Sequence, residues 1–175
     1  MHPGSANSCA MNYSARHASL LEGRNNVLLD DREKKRAANV FLGLDARVNA
    51  RHEEGTRTRF VIGVDDAGEE FGEVIFSADI YPGGNLTNPN ASLSLDGAAA
   101  HELAHYYRWI NKSELPHGEL THIDEAMTSL EAALRFSGKL SSGDIQGLIS
   151  DALHRLRMHV AELARPSQKS AREPG

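Results

Sequence analysis

The chain has 175 residues, of which 40% are apolar, with a formal net charge of −5 and a pI near 6.0. That length suits a single domain around one core; no basic patch dominates, as a nucleic-acid partner requires, and no apolar run reaches the roughly 20 residues of a membrane-spanning helix. The single cysteine, Cys9, excludes an intrachain disulfide, and the first residues lack the apolar core of a signal peptide, which sets the expectation of a cytoplasmic protein.

Residues 1–13 are rich in Gly, Ser, Asn and Pro and are expected to be disordered. The single domain is expected over 14–164, opening with a short helix over about 14–24. A longer helix is expected from Asp30 to about Arg51, with Ala37, Val40, Phe41, Leu44 and Val48 on one face and Gly55 ending it. The basic stretch Arg32–Arg36 reads as the solvated side of that helix. The period then changes to two, giving strands over 57–64 and 71–81 joined by the turn-rich 65–70. Pro82-Gly83-Gly84 starts a loop, and the alternating Ser and Leu of 91–95 suit a third, short strand. Three helices follow: one through residues 96–110, one over 121–136 and one over 142–163. The last has Ile145, Leu148, Ile149, Ala152, Leu156 and Val160 as its expected core face, and Ser141 with Asp144 as its capping pair. Residues 165–175 read as a loose polar tail. The fold class is α+β: a small, mostly antiparallel three-stranded sheet with helices before and after it.

The stretch His101-Glu102-Leu103-Ala104-His105 reads H-E-x-x-H on a helix. At about 100° per residue, His105 lies about 40° and Glu102 about 100° from His101, so all three share one arc. Two imidazoles one turn apart can grip a metal ion, and the adjacent Glu can act on a water there as a general base. The opposite arc, with Ala99, Ala100, Leu103, Tyr106, Tyr107 and Ile110, is a packing face, and Asp96 is placed to begin the helix. Trp109 falls on the ligand side one turn beyond His105. It is a candidate wall of a substrate pocket, or else it packs under the loop from Asn111 to Leu120.

A catalytic zinc usually takes three protein ligands and keeps one position open, so a third ligand is expected downstream. In the helix over 121–136, Ile123, Met127, Leu130 and Leu134 form an apolar stripe. Glu125 instead shares a face with the smaller Ser129 and Ala132, on which another helix can come close. A carboxylate aimed into such a face needs a partner, and a metal ion is one. His122, one turn before Glu125, is the alternative third ligand. Asp124 ranks third, since it pairs with Thr121 as a T-x-x-D cap.

The pattern H-E-L-A-H, nineteen residues, then Glu125 within Asp124-Glu125-Ala126 resembles that of the gluzincin zinc metallopeptidases over roughly residues 91–136. The closer likeness is to compact single-domain members. The resemblance implies a zincin-like core with the sheet packed on the H-E-x-x-H helix. It also implies one zinc ion per chain held by His101, His105 and Glu125, and Glu102 as the base in peptide hydrolysis. A peptide or protein substrate would then add to a sheet edge, for which 71–81 and 91–95 are the candidates. In such enzymes a loop His steadies the tetrahedral intermediate, a role for which His117, beside Pro116 and Gly118, is the candidate; a solvated loop residue is its alternative. One position departs from the pattern. Four residues after the ligand Glu, where the family usually carries an Asp that orients a ligand His, this chain has Ser129, a weaker acceptor. That departure keeps a second reading open, a metal-binding regulatory or interaction module of gluzincin-like fold without turnover. The oligomeric state is not legible.

Overall fold

Asp30 caps the first helix with a reciprocal capping box, its side chain accepting from Glu33 N while the Glu33 carboxylate accepts from Asp30 N. The computed structural model that places these elements describes residues 23–164 apart from 86, 117 and 119. The expectations for 1–13, for most of the helix over 14–24, for Cys9, for His117 and for the tail 165–175 lie outside the described residues. Helix α1 (Asp31–Leu44) is followed by β1 (Asn49–His52), β2 (Arg59–Val64) and β3 (Glu70–Phe76), and a 3₁₀ turn spans Ala78–Ile80. A one-turn helix α2 (Pro89–Ser92) precedes the three longer helices α3 (Leu95–Ile110), α4 (Thr121–Arg135) and α5 (Ser142–Leu163).

The architecture is α+β, with a three-stranded mixed sheet and most helices after it, but the strands differ from expectation. The sheet order is β1-β3-β2, with β1 parallel and β2 antiparallel to the central β3. The helix expected to Arg51 stops at Leu44, where Asp45 turns extended and its carboxylate is taken up by Arg47 and Tyr107. The next residues become β1, whose ladder comes entirely from β3, more than twenty residues away in sequence. Strand β3 ends at Phe76 instead of running to residue 81, and the segment 91–95 is no strand. It ends the short α2 and supplies Ser94, which caps α3 by accepting from Gly97 N at 2.9 Å. Both expected docking edges are therefore withdrawn. Residues 70–76 form the centre of the sheet, paired on both sides, and among the described residues its edges are β1 and β2.

Helix α3 runs through the middle of the core. Ala99, Ala100, Leu103 and Ala104 are fully buried, with Val74 and Phe76 of the sheet and Phe41 of α1 in the same cluster. Tyr106 and Tyr107 pack at its margin as expected, whereas Ile110 is exposed. The small side chains let α4 and α5 approach. Those two helices bury the expected Glu125–Ser129–Ala132 face of α4 and Leu148 and Ala152 of α5, but leave most of their expected apolar stripes in solvent. Helix α4 hides His122, Asp124, Glu125, Ala126, Thr128, Ser129, Ala132 and Ala133, leaving Met127, Leu130 and Leu134 exposed, Leu134 at 77%. Helix α5 buries Leu148, Asp151, Ala152 and Arg155, and leaves Ile149, Leu156 and Val160 exposed. The apolar stripe lost to a polar face because that face finds partners for its charges, as shown below. The Ser141–Asp144 capping box forms as expected. The Thr121–Asp124 cap does not form: the residue before α4 makes no side-chain cap, and Asp124 is engaged elsewhere.

The segment just before α1 straps the loop between the sheet and α3. The Arg24 guanidinium donates to the carbonyls of Asp79, Ile80, Asn90 and Leu93, and Asn25 N donates to Tyr81 O. Gly83 lies so close to this strap that a Cβ there would overlap the Gly23 carbonyl, while one at Gly84 would meet nothing. Gly83→Ala is therefore expected to destabilise the fold by about 1–3 kcal/mol, the usual cost of overpacking, and Gly84→Ala to leave it nearly unchanged. Urea unfolding midpoints of the two variants check this.

Candidate metal centre

His101 and His105 stand one turn apart on the buried side of α3, their rings 4.9 Å apart and nearly perpendicular. Glu125 reaches them from α4, with Oε2 3.2 Å from His101 Nε2 and Oε1 3.6 Å from His105 Nε2. One ligand atom from each residue falls within 4.8 Å of the others, and no other group among the described residues meets that condition. Tetrahedral ligands at about 2.0–2.2 Å from a metal stand roughly 3.4 Å from each other, so two imidazole nitrogens and a carboxylate at these separations fit a metal ion. His101 and Glu125 are buried, and His105 is the member that retains access, its side chain 15% exposed. Glu102 follows on the next position of α3, also buried.

Behind the cluster lies a polar network. The His101 Nδ1 is 2.9 Å from Ser129 Oγ, which donates to Asp151 Oδ2 at 2.6 Å. Arg155, one turn further along α5, donates from Nε to the same oxygen at 2.7 Å and places Nη1 3.2 Å from Glu125 Oε2. Asp151 and Ser129 are fully buried and Arg155 almost so. Burial alone would lower the Arg155 pKa, but Glu125 and Asp151 outweigh it and hold the guanidinium charged. On the other side, burial pushes Arg24 down to about 10, against the fields of Asp79, Glu102 and Asp151, which favour its charge.

The remaining candidates separate. His122 is directed to α5, with Nε2 3.0 Å from Glu162 Oε1, and takes no part in the three-residue cluster. Asp124 forms an ion pair with Arg108 of α3 and accepts from Leu115 N at 2.7 Å, tying the loop after α3 to both helices. Trp109 packs on Phe60 of β2 and on Tyr106, with ring centroids 5.8 and 5.9 Å away. A cleft of about 570 Å³ lies elsewhere, against α1, lined by Arg32, Lys35, Arg36 and Lys139 among others, and includes no residue of the cluster. Asp151, Arg155 and Arg24 were missed in the sequence. The available signal was a charged pair at i, i+4 lying beside Leu148 and Ala152 on the helix arc, but the stronger apolar stripe through Ile149 and Leu156 masked it.

Comparison with known protein families, curated proteins and solved structures finds no match to this chain. Metal binding can be tested directly. Zinc at 100 times its dissociation constant is expected to stabilise the folded protein by about 2.7 kcal/mol through linkage. Glu125→Ala is expected to remove that stabilisation and His122→Ala to keep it. Thermal shifts with and without zinc, together with the metal content of the purified variants, read both outcomes; the reverse order would make His122 the ligand.

Proposed function

We propose that this chain is a zinc-dependent peptidase of the compact gluzincin kind, with a zincin-like core and one ion per chain held by His101, His105 and Glu125. The observation that carries the reading is the convergence of two imidazoles from one helix and a carboxylate from the next, with Glu102 adjacent to the first imidazole. A divalent cation so held supplies Lewis acidity, polarising a carbonyl oxygen and lowering the pKa of water toward neutrality.

The chain's own residues supply the rest. The carboxylate of Glu102 takes a proton from the attacking water and returns it to the leaving amine. Burial of Glu102 limits competing solvent and strengthens its field on the reacting atoms. His105, the least buried ligand, marks the side from which a peptide enters. Among the described residues, β2 is a sheet edge packed against α3 through Phe60, Tyr106 and Trp109. It offers main-chain hydrogen bonds to an extended peptide or protein substrate, with Trp109 as part of the wall.

Glu102→Gln is expected to retain zinc and to lower turnover of a quenched peptide library by about 100- to 10,000-fold, the usual contribution of a positioned acid–base group. Metal analysis and peptide hydrolysis on the same preparation test this. Wild-type protein that holds stoichiometric zinc but cleaves nothing would instead support a metal-binding module without turnover.

A further inference from the structure

The place usually filled by a carboxylate on the ligand helix is filled here by Ser129, and the carboxylate stands one residue further back, on a different helix. We propose that Asp151 is a positioning residue for His101, acting through the Ser129 hydroxyl, with Arg155 as the countercharge that ties Asp151 to Glu125. The inference rests on the metal-site reading above and concerns residues that the reading itself does not use.

The direction of the hydrogen bonds follows from chemistry. The serine hydroxyl donates and the carboxylate oxygen accepts, Ser129 Oγ giving its proton to Asp151 Oδ2 at 2.6 Å. The serine oxygen then has only lone pairs left for His101 Nδ1, 2.9 Å away, so that nitrogen carries the proton. The Nε2 lone pair is thereby left for a metal ion; without one, Glu125 Oε2, 3.2 Å from Nε2, competes for the ring proton. The Arg155 guanidinium holds the chain at its far end, since its Nε donates to Asp151 Oδ2 while its Nη1 faces Glu125. One polar chain thus sets the tautomer of one metal ligand and the placement of another. A hydroxyl inserted between carboxylate and imidazole lets the carboxylate come from α5, 26 residues beyond Glu125 in sequence.

A purely structural i, i+4 pair between Asp151 and Arg155 would stabilise α5 and leave the imidazole indifferent, so the test reads the imidazole. In metal-free Glu125→Ala protein at alkaline pH, where no Glu125 carboxylate faces Nε2 to compete for the proton, ¹⁵N NMR of the ring nitrogens is expected to show His101 wholly as the Nδ1–H tautomer. The tautomers of the substitutions below are read in that background. Ser129→Ala and the isosteric Asp151→Asn should both introduce the Nε2–H form. With Glu125 in place, both should also weaken zinc binding by about 10- to 100-fold, as loss of a ligand's hydrogen-bond partner typically does, read by chelator competition. Exchanging the pair, Ser129→Asp with Asp151→Ser, conserves charge and atom count, and should restore the Nδ1–H tautomer and zinc affinity to within a few-fold. This variant also keeps the proposal testable if either single variant fails to fold. Unchanged tautomer populations in the folded variants, or an exchange variant that does not recover them, overturn the proposal. Absence of zinc binding by the wild type would overturn the metal reading alone, because the tautomer is measured without metal.

Discussion

Arg155 lies almost completely buried, bonded to Asp151 within its own helix and facing Glu125 from the neighbouring one. A buried charge costs several kcal/mol to desolvate unless it is closely paired and hydrogen-bonded. Once Glu125 is turned inward toward the two histidines, α5 has to stand where Arg155 can reach it. Asp151 must then stand where Arg155 and Ser129 can both reach it. This single arrangement fixes the rotation of α4 and α5 about their axes. It explains why both helices leave well-formed apolar stripes in solvent. Burying Leu134 or Val160 instead would gain a few kcal/mol of transfer energy each at most, but it would separate Arg155 from Asp151 and Glu125.

Helix α3 is held along its length by three polar ties of the same kind. At its start, the capping Ser94 donates to Asp144 at the first turn of α5. In its middle, His101 is joined to Ser129 and through it to Asp151. Near its end, Arg108 pairs with Asp124. Between these ties the contact surface is alanine and leucine, which permits close helix approach and adds no polar demand. The sheet packs against the opposite side, and the Arg24 strap closes the segment that leads from the sheet to α3 by satisfying four backbone carbonyls. The geometry of the candidate metal ligands is in this sense over-determined. The two histidines are placed by one helix's own periodicity, and the glutamate by a network that extends beyond it.

The parts legible in the sequence were those governed by local periodicity. The arc shared by His101, Glu102 and His105 is a property of any helix carrying that spacing, and Glu125 was recognisable because it shares its arc with Ser129 and Ala132. The capping box at Ser141 is local for the same reason. Errors arose where distant partners outweighed local preference. Asn49–His52 reads as the end of a helix until β3 offers a parallel ladder, and Asp124 reads as a cap until Arg108 claims it. The apolar stripe on α4 is the better periodic signal of the two faces, yet it lost to buried ion pairs that no window on α4 alone can reveal.

What the sequence by itself determined is the chemistry at hand and its local spacing: two imidazoles and a carboxylate on one helical arc, and a second carboxylate on a small-residue face downstream. What only the tertiary structure decided is which groups support them. Ser129 looked like a weakened substitute because a serine cannot itself hold a ligand histidine as strongly as a carboxylate. Packing α5 against α4 brings Asp151 to its hydroxyl and so supplies that charge from another helix. The reason is physical: covalent spacing dictates which side chains share a face, but the pairing of buried charges between helices depends on how those faces are brought together.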